Sequence, residues 1–409
     1  MRKHELLSPA GSLEICKAVL NAGADAVYLG GDKFGARAFA KNFTQNDIQE
    51  ALDFAHMRGK KIFLTVNTLL KNKEIETELF SYLKPLYEHG LDAVIVQDYG
   101  VFQFVHRNFP ELALHASTQM SVSNVSGAKF LVEHGAERIV TARELSRSEI
   151  RRIYDETGVE IESFIHGAMC ISYSGRCLLS NFFTGRDANQ GACTHPCRWK
   201  YSVVEETRPG EYMPVYENER GTYIFNSKDL CMIEHIPEMI DAGIDSFKIE
   251  GRMKTALYVA TVARTYRKAI DDYLEDPKKY EANMPWYRDQ ISNCTYRQFT
   301  TGFYFGKPGD ESQIYDSNTY IKEYTYLGII GGIKDGMYRI EQRNKFSVGE
   351  TVEIMKPDGQ NVEVTVEKIV DEDGQEQESA PHPKQVLYVA LSGEASVYDI
   401  LRRQEGVTE

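Results

Sequence analysis

The chain has 409 residues, 42% of them hydrophobic, which is enough to bury a large core and is longer than a usual single domain. No run approaches the roughly 18 apolar residues of a membrane-spanning helix, and the N-terminal MRKHELLSPAGSLEI has no apolar stretch after its basic residues, so the expectation is a soluble cytoplasmic protein with no membrane partner. The formal charge of −13 disfavours a nucleic-acid partner for the whole surface, yet the tail from Glu323 alone carries 17 acidic against nine basic residues, leaving the remainder closer to neutral.

Taken in chain order, strands are predicted at 5–7, 26–29, 62–66, 93–96, 112–115, 138–141, 161–165 and 247–249. Amphipathic stretches such as 13–21, 44–57, 74–89 and 122–134 lie between them. The phrases NAGADAVYLG, EHGLDAVIVQD, EHGAERIVTA and DAGIDSFKIEG each read as helix end, glycine C-cap, short joint and buried strand. Four copies of one αβ joint and eight strands with right-handed crossovers predict an α/β fold, a (β/α)8 TIM-like barrel over residues 1–275, with an open doubly wound sheet as the alternative.

Two segments break this rhythm. After the seventh strand a cysteine-rich insertion occupies 167–222, with a hairpin predicted between 200–204 and 222–225. The linker-like 276–285 opens an extension over 276–322. Alternating patterns in YTYLGIIGGI, MYRIEQRNKFSVGETVEIM, VEVTVEKIV and QVLYVALS then predict a small C-terminal all-β barrel domain over 323–409.

Barrel active sites are assembled at the C-terminal ends of strands. The polar residues predicted there are Asn67, Gln97, Asp98, His115, Ser117, Thr118, Gln119, Arg143, Glu144, His166, Glu250 and Arg252. Of these, His115, Gln119, Arg143, His166, Glu250 and Arg252 are the pocket candidates, each with the plainer reading of a helix cap or strand-end hydrogen bond. Two stretches are locally basic: Arg176, Arg186, Arg198 and Lys200 face a single acid, Asp187, within 163–200, and 251–270 has five basic residues and no acid. Such patches suit phosphates, as well as an ordinary solvated face.

Four cysteines, Cys170, Cys177, Cys193 and Cys197, fall within 28 residues, whereas Cys16, Cys231 and Cys294 stand alone. In a reducing compartment this points to a metal or a catalytic site rather than disulfides. Their Cys-x6-Cys-x15-Cys-x3-Cys spacing lacks the paired Cys-x2-Cys knuckles of a zinc ribbon, and it favours a [4Fe-4S] cluster over zinc. It also lacks the Cys-x3-Cys-x2-Cys of an S-adenosylmethionine radical enzyme. His166 and His195 lie close by in sequence as candidate metal ligands or bases, with outer hydrogen bonding favoured for both, and Trp199 beside Cys197 suits shielding the cluster, stacking on a base or core packing. No His-Glu-x2-His, Gly-x-Ser-x-Gly or phosphate-loop motif occurs.

ESFIHGAMCISYSGRC (162–177) with GACTHPCRW (191–199) resembles the signature of the collagenase-like peptidase family U32. ELLSPAGS, HASTQMSVSN, FNSKDL and KIEGRMK extend the likeness over most of residues 1–310. The resemblance implies a [4Fe-4S] cluster on Cys170, Cys177, Cys193 and Cys197. It implies one of the family's activities: proteolysis, or oxygen-independent hydroxylation of an RNA base or of the ubiquinone ring. A single barrel followed by a short β-domain is similar to the tRNA branch, which makes 5-hydroxyuridine at the wobble position with prephenate as the source of the hydroxyl group. On that reading the expected partners are tRNA, prephenate and a second copy or a paralogue, with Arg143, Arg176 and Arg252 as candidate carboxylate binders. A peptidase, a hydroxylase of another RNA base and a noncatalytic RNA-binding factor are the alternatives.

Overall fold

The computed structural model describes residues 4–35, 42–170, 172–173, 176–186, 193–199, 202–203, 213–214, 228–294, 298–308 and 324–405. Eight strands close into a parallel barrel: β1 (Glu5–Pro9), β2 (Ala26–Gly30), β3 (Lys61–Val66), β4 (Ala93–Val96), β5 (Ala113–Ala116), β6 (Arg138–Val140), β7 (Glu160–Ala168) and, after the insertion, β11 (Ser246–Ile249). Closure comes from β11, which pairs in parallel with both β1 and β7. The doubly wound alternative is thereby removed, since an open sheet has two edges and this ring has none.

The repeated joint is built as its sequence implies. Gly23, Gly90, Gly135 and Gly243 all have positive φ, at 106°, 90°, 103° and 80°, where a side chain is strained. At the other end of the helices, Ser12, Thr44, Asp98, Asn124, Ser146 and Thr255 accept backbone N–H bonds as N-caps. Among the described residues no helix is long and apolar enough to cross a membrane.

The insertion leaves the barrel at its C-terminal end and returns there. It contains the short helix α8 (Leu179–Thr184) and a two-residue ladder of β8 (Ser202–Val203) on β9 (Met213–Pro214). Ser202–Val203 thus pairs with Met213–Pro214; the predicted partner 222–225 lies outside the described residues. The chain re-enters through β10 (Asp229–Cys231), antiparallel to the extended end of β7, with β12 (Phe299–Thr300) alongside.

The stretch read as a linker from 276 is a helix, α11 (Pro277–Ser292), packed on α10 (Ala256–Glu275). Asp276 caps it, Pro277 sits at its first turn, and Pro285 lies inside it. An interior proline costs a helix hydrogen bond. Packing offsets that cost: Tyr287 donates to Asp272 at 2.6 Å and stacks on Tyr280 at 5.8 Å.

Strands β13 (Tyr324–Lys334), β14 (Met337–Glu341), β15 (Thr351–Met355), β16 (Asn361–Asp371), β18 (Val386–Leu391) and β19 (Ile400–Gln404) form a closed antiparallel ring, with β17 (Glu376–Gln377) at its margin. Leu327, Ile330, Ile354, Val366 and Leu387 fill it. This small barrel is seated on α10, where the buried Arg264 donates at 2.9 Å to the Lys356 carbonyl and to Asn361.

Candidate active site at the barrel mouth

Tyr28, Phe63 and Ile95 fill the inside of the barrel with a small apolar layer. Beside it lies a buried ionic network that sequence reading missed. Glu162, 0% exposed, receives Lys248 at 2.5 Å and Arg138 at 3.2 Å; Arg138 also reaches Glu5 at 2.6 Å and Glu160 at 2.8 Å. The Lys248 ammonium sits over the Tyr28 ring at 4.5 Å, a cation–π contact that helps hold a desolvated charge.

Above this layer the strand ends carry the expected polar residues. Gln97 donates at 2.6 Å to the Asn67 carbonyl, and Asn67 donates at 2.7 Å to Gln119. Arg143 pairs with Glu250 at 3.1 Å and lies over the Phe164 ring at 3.9 Å. Arg252, buried, reaches across the mouth to the Thr65 hydroxyl at 3.3 Å. That reach requires Gly30, since a Cβ there would stand 2.1 Å from the Arg252 guanidinium. Burial raises the pKa of Glu144 beside Arg143. Asp98 is a helix cap, accepting from Gly100 at 2.7 Å and Val101 at 3.1 Å.

Gln119, Arg143, Glu250 and Arg252 therefore come to the mouth, whereas the two candidate histidines do not. His115 points into the barrel, edge-on to Phe63 at 4.8 Å. The β7–β11 register slips between Lys248 and Ile249, and His166 packs instead among Tyr258, Tyr266 and Phe299. Its Nε2 has no hydrogen-bond partner among the described residues, and burial, with Lys254 adding to it, lowers its pKa to about 3. Burial and the charges of Arg138 and Lys248 likewise hold His115 neutral.

Both histidines protonate more readily in the unfolded chain, so protons favour unfolding. For His166 the affected window runs from about 6.5 down to about 3, and stability should fall by about 1.4 kcal/mol per pH unit within it. Urea midpoints at neutral and acid pH check this, with His166→Gln removing one histidine's share of the slope.

The four clustered cysteines are partly exposed and free of disulfides. Cys170 follows β7 directly, Cys177 precedes α8, and Cys193 and Cys197 flank His195, whose left-handed backbone (φ 54°) lets its N–H donate to the Cys193 sulfur at 3.4 Å. Fifteen residues separate Cys177 from Cys193, yet the two arms are tied together. Thr194 N–H donates to Ser180 Oγ at 3.0 Å, and Thr184 meets the Thr194 hydroxyl at 3.3 Å. Among the described residues, no three His, Cys, Asp or Glu side chains are already gathered as a metal-binding group.

The family model for peptidase family U32 matches residues 11–314, and the model for the U32 C-terminal domain matches 322–402. The chain belongs to peptidase family U32. This U32 chain is 41% identical to a tRNA hydroxylation protein of Bacillus subtilis, over 98% of its own length and 95% of the relative's. It is 36% identical to a tRNA hydroxylation protein of Escherichia coli, over 93% and 92%. It is also 43% identical to a 23S rRNA 5-hydroxycytidine synthase of Escherichia coli, over 66% of this chain and 40% of that one.

The hydroxyls at the mouth of this U32 barrel are engaged with their neighbours. Thr118 donates to the Thr141 carbonyl at 3.0 Å, the Thr141 and Ser163 hydroxyls bond each other at 2.7 Å, and the Ser117 hydroxyl accepts from the Gln119 N–H at 3.3 Å. Among the described residues, neither His115 nor His166 bonds any of these hydroxyls.

Proposed function

We propose that the protein is an RNA-modifying enzyme that hydroxylates the wobble uridine of tRNA to 5-hydroxyuridine without dioxygen, with prephenate supplying the hydroxyl group. The observation that carries this reading is the near end-to-end likeness to proteins named for tRNA hydroxylation, with the rRNA 5-hydroxycytidine synthase supporting base hydroxylation more broadly.

Cys170, Cys177, Cys193 and Cys197 would hold a [4Fe-4S] cluster, because four thiolates are its ordinary donor set and the Cys193 sulfur already accepts an N–H bond. Such a cluster, fully ligated, supplies electron transfer or orients substrate. The chain's own contribution at the mouth includes two guanidinium groups, Arg143 and Arg252. Glu250, held by Arg143 at 3.1 Å, marks how a carboxylate sits there, and Arg252 supplies a second buried guanidinium. A dicarboxylate such as prephenate suits these two, with Arg176 on the cysteine segment as a third, since a guanidinium fork pairs with a carboxylate in fixed geometry.

Nucleoside mass spectrometry of tRNA from a strain lacking this gene and any redundant paralogue should show loss of 5-hydroxyuridine and its derivatives. Unchanged levels would overturn the proposal. Cleavage of denatured collagen by the pure protein, abolished by Arg143→Ala, would restore the peptidase reading.

A further inference from the structure

We propose that the exposed rings of Phe182 and Trp199, on the two arms of the cysteine segment, form a stacking platform for unpaired bases of an RNA loop delivered to the barrel mouth. This rests on the RNA reading above and names the surface that would hold the substrate.

Within 27 residues the segment exposes Tyr173, Leu178, Phe182, Phe183 and Trp199, with Phe182 82% and Trp199 44% accessible. Leaving apolar surface in water forgoes about 25 cal/mol per Å², and a contiguous apolar patch marks an interaction site. The rings are ordered relative to one another: Phe182 meets Phe183 edge-on at 5.2 Å, and Phe183 meets Trp199 at 6.5 Å with 51° between planes. The Ser180–Thr194 and Thr184–Thr194 bonds tie the arms that carry them.

Charge selects the occupant. Residues 163–200 hold four basic residues and one acid in a chain of net charge −13, and Arg176 and Arg186 are exposed on the same segment. Aromatic faces interleaved with guanidinium groups fit a polyanion that carries planar bases, and stacking needs those bases unpaired. A duplex hides its base faces, so the platform distinguishes a loop from a stem. Cys170 and Cys177 lie on one arm and Cys193 and Cys197 on the other, so a base stacked here lies beside the segment that leads into the mouth at the end of β7.

The test is fluorescence-anisotropy titration of the full-length, anaerobically purified protein with a labelled RNA hairpin whose loop contains uridine. A fully paired duplex of the same length is the comparison, and bound iron and thermal midpoint are measured in parallel. Phe182→Ala and Trp199→Ala should each weaken hairpin binding by about 5- to 100-fold with duplex binding unchanged. Phe182→Tyr should restore it, and Arg186→Gln should reduce its salt dependence. If both alanine variants bind the hairpin as wild type does, the platform is wrong while the RNA reading stands. If wild-type protein binds neither RNA, the RNA reading itself falls. Loss of iron together with affinity in both variants would assign the rings to shielding the cysteines, and that too would overturn the platform.

Discussion

Serine in place of Cys170, Cys177, Cys193 or Cys197 is expected to abolish tRNA hydroxylation and to cut bound iron and sulfide sharply, whereas serine at Cys231 should leave both near wild type. The contrast follows from where the sulfurs sit. Cys16 and Cys294 are buried and Cys231 is partly buried, and desolvation pushes their pKa values up to about 12, 12 and 11. Such thiols stay protonated and behave as small packing groups. A metal ligand must be a thiolate that the metal can reach, and the four clustered cysteines are partly open and close together in sequence, whereas Cys231 stands alone. A serine hydroxyl is a harder and less readily ionised donor, so each replacement removes a corner that the other three cannot supply. Iron and sulfide analysis of anaerobically purified protein, with its visible absorption spectrum, reads the outcome. A colourless wild-type protein carrying one zinc ion would overturn the cluster assignment, and iron retained after all four single replacements would remove these cysteines from it.

The barrel was legible in the sequence because its determinants are local. A helix C-cap glycine followed by a buried strand is a short-range pattern, and each of the four copies lands on a glycine with positive φ. The mouth residues Gln119, Arg143, Glu250 and Arg252 were legible for the same reason, since a strand's end fixes which side of the barrel its next residues join. The fates of His115 and His166 were not. One faces inward through the two-residue alternation of β5, and the other is displaced by a register slip between β7 and β11, which depends on two strands about 80 residues apart. Proline misled the reading at α11, because the packing that offsets Pro285 comes from the side chains of α10. Of the two platform rings Trp199 was legible from its place beside Cys197, whereas Phe182 was hidden for a related reason: it reads as an ordinary core residue until the fold shows it 82% exposed.

Neutralising Glu162 should be among the most destabilising single changes in the molecule. Its side chain is fully enclosed, with Lys248 at 2.5 Å and Arg138 at 3.2 Å. The apolar runs around Glu162 and Lys248 read as continuous buried strands, so sequence alone does not show that these two carry opposed charges into the barrel. Glu162→Gln preserves shape but takes from Lys248 the carboxylate it contacts and leaves Arg138 on Glu5 and Glu160, of which Glu160 is half exposed. Removing one partner of a buried pair typically costs about 3–5 kcal/mol, while replacing both by apolar groups of similar volume is often close to neutral. Urea unfolding should therefore show Glu162→Gln losing about 3–5 kcal/mol, with the double variant Glu162→Gln, Lys248→Met recovering a substantial part of it. A single-variant loss below about 1 kcal/mol, the scale of an exposed ion pair, would mean that water reaches this site and that the barrel interior is open. Recovery in the double variant would identify Lys248 as the charge that Glu162 chiefly serves, leaving Arg138 to be held by Glu5 at 2.6 Å and Glu160 at 2.8 Å.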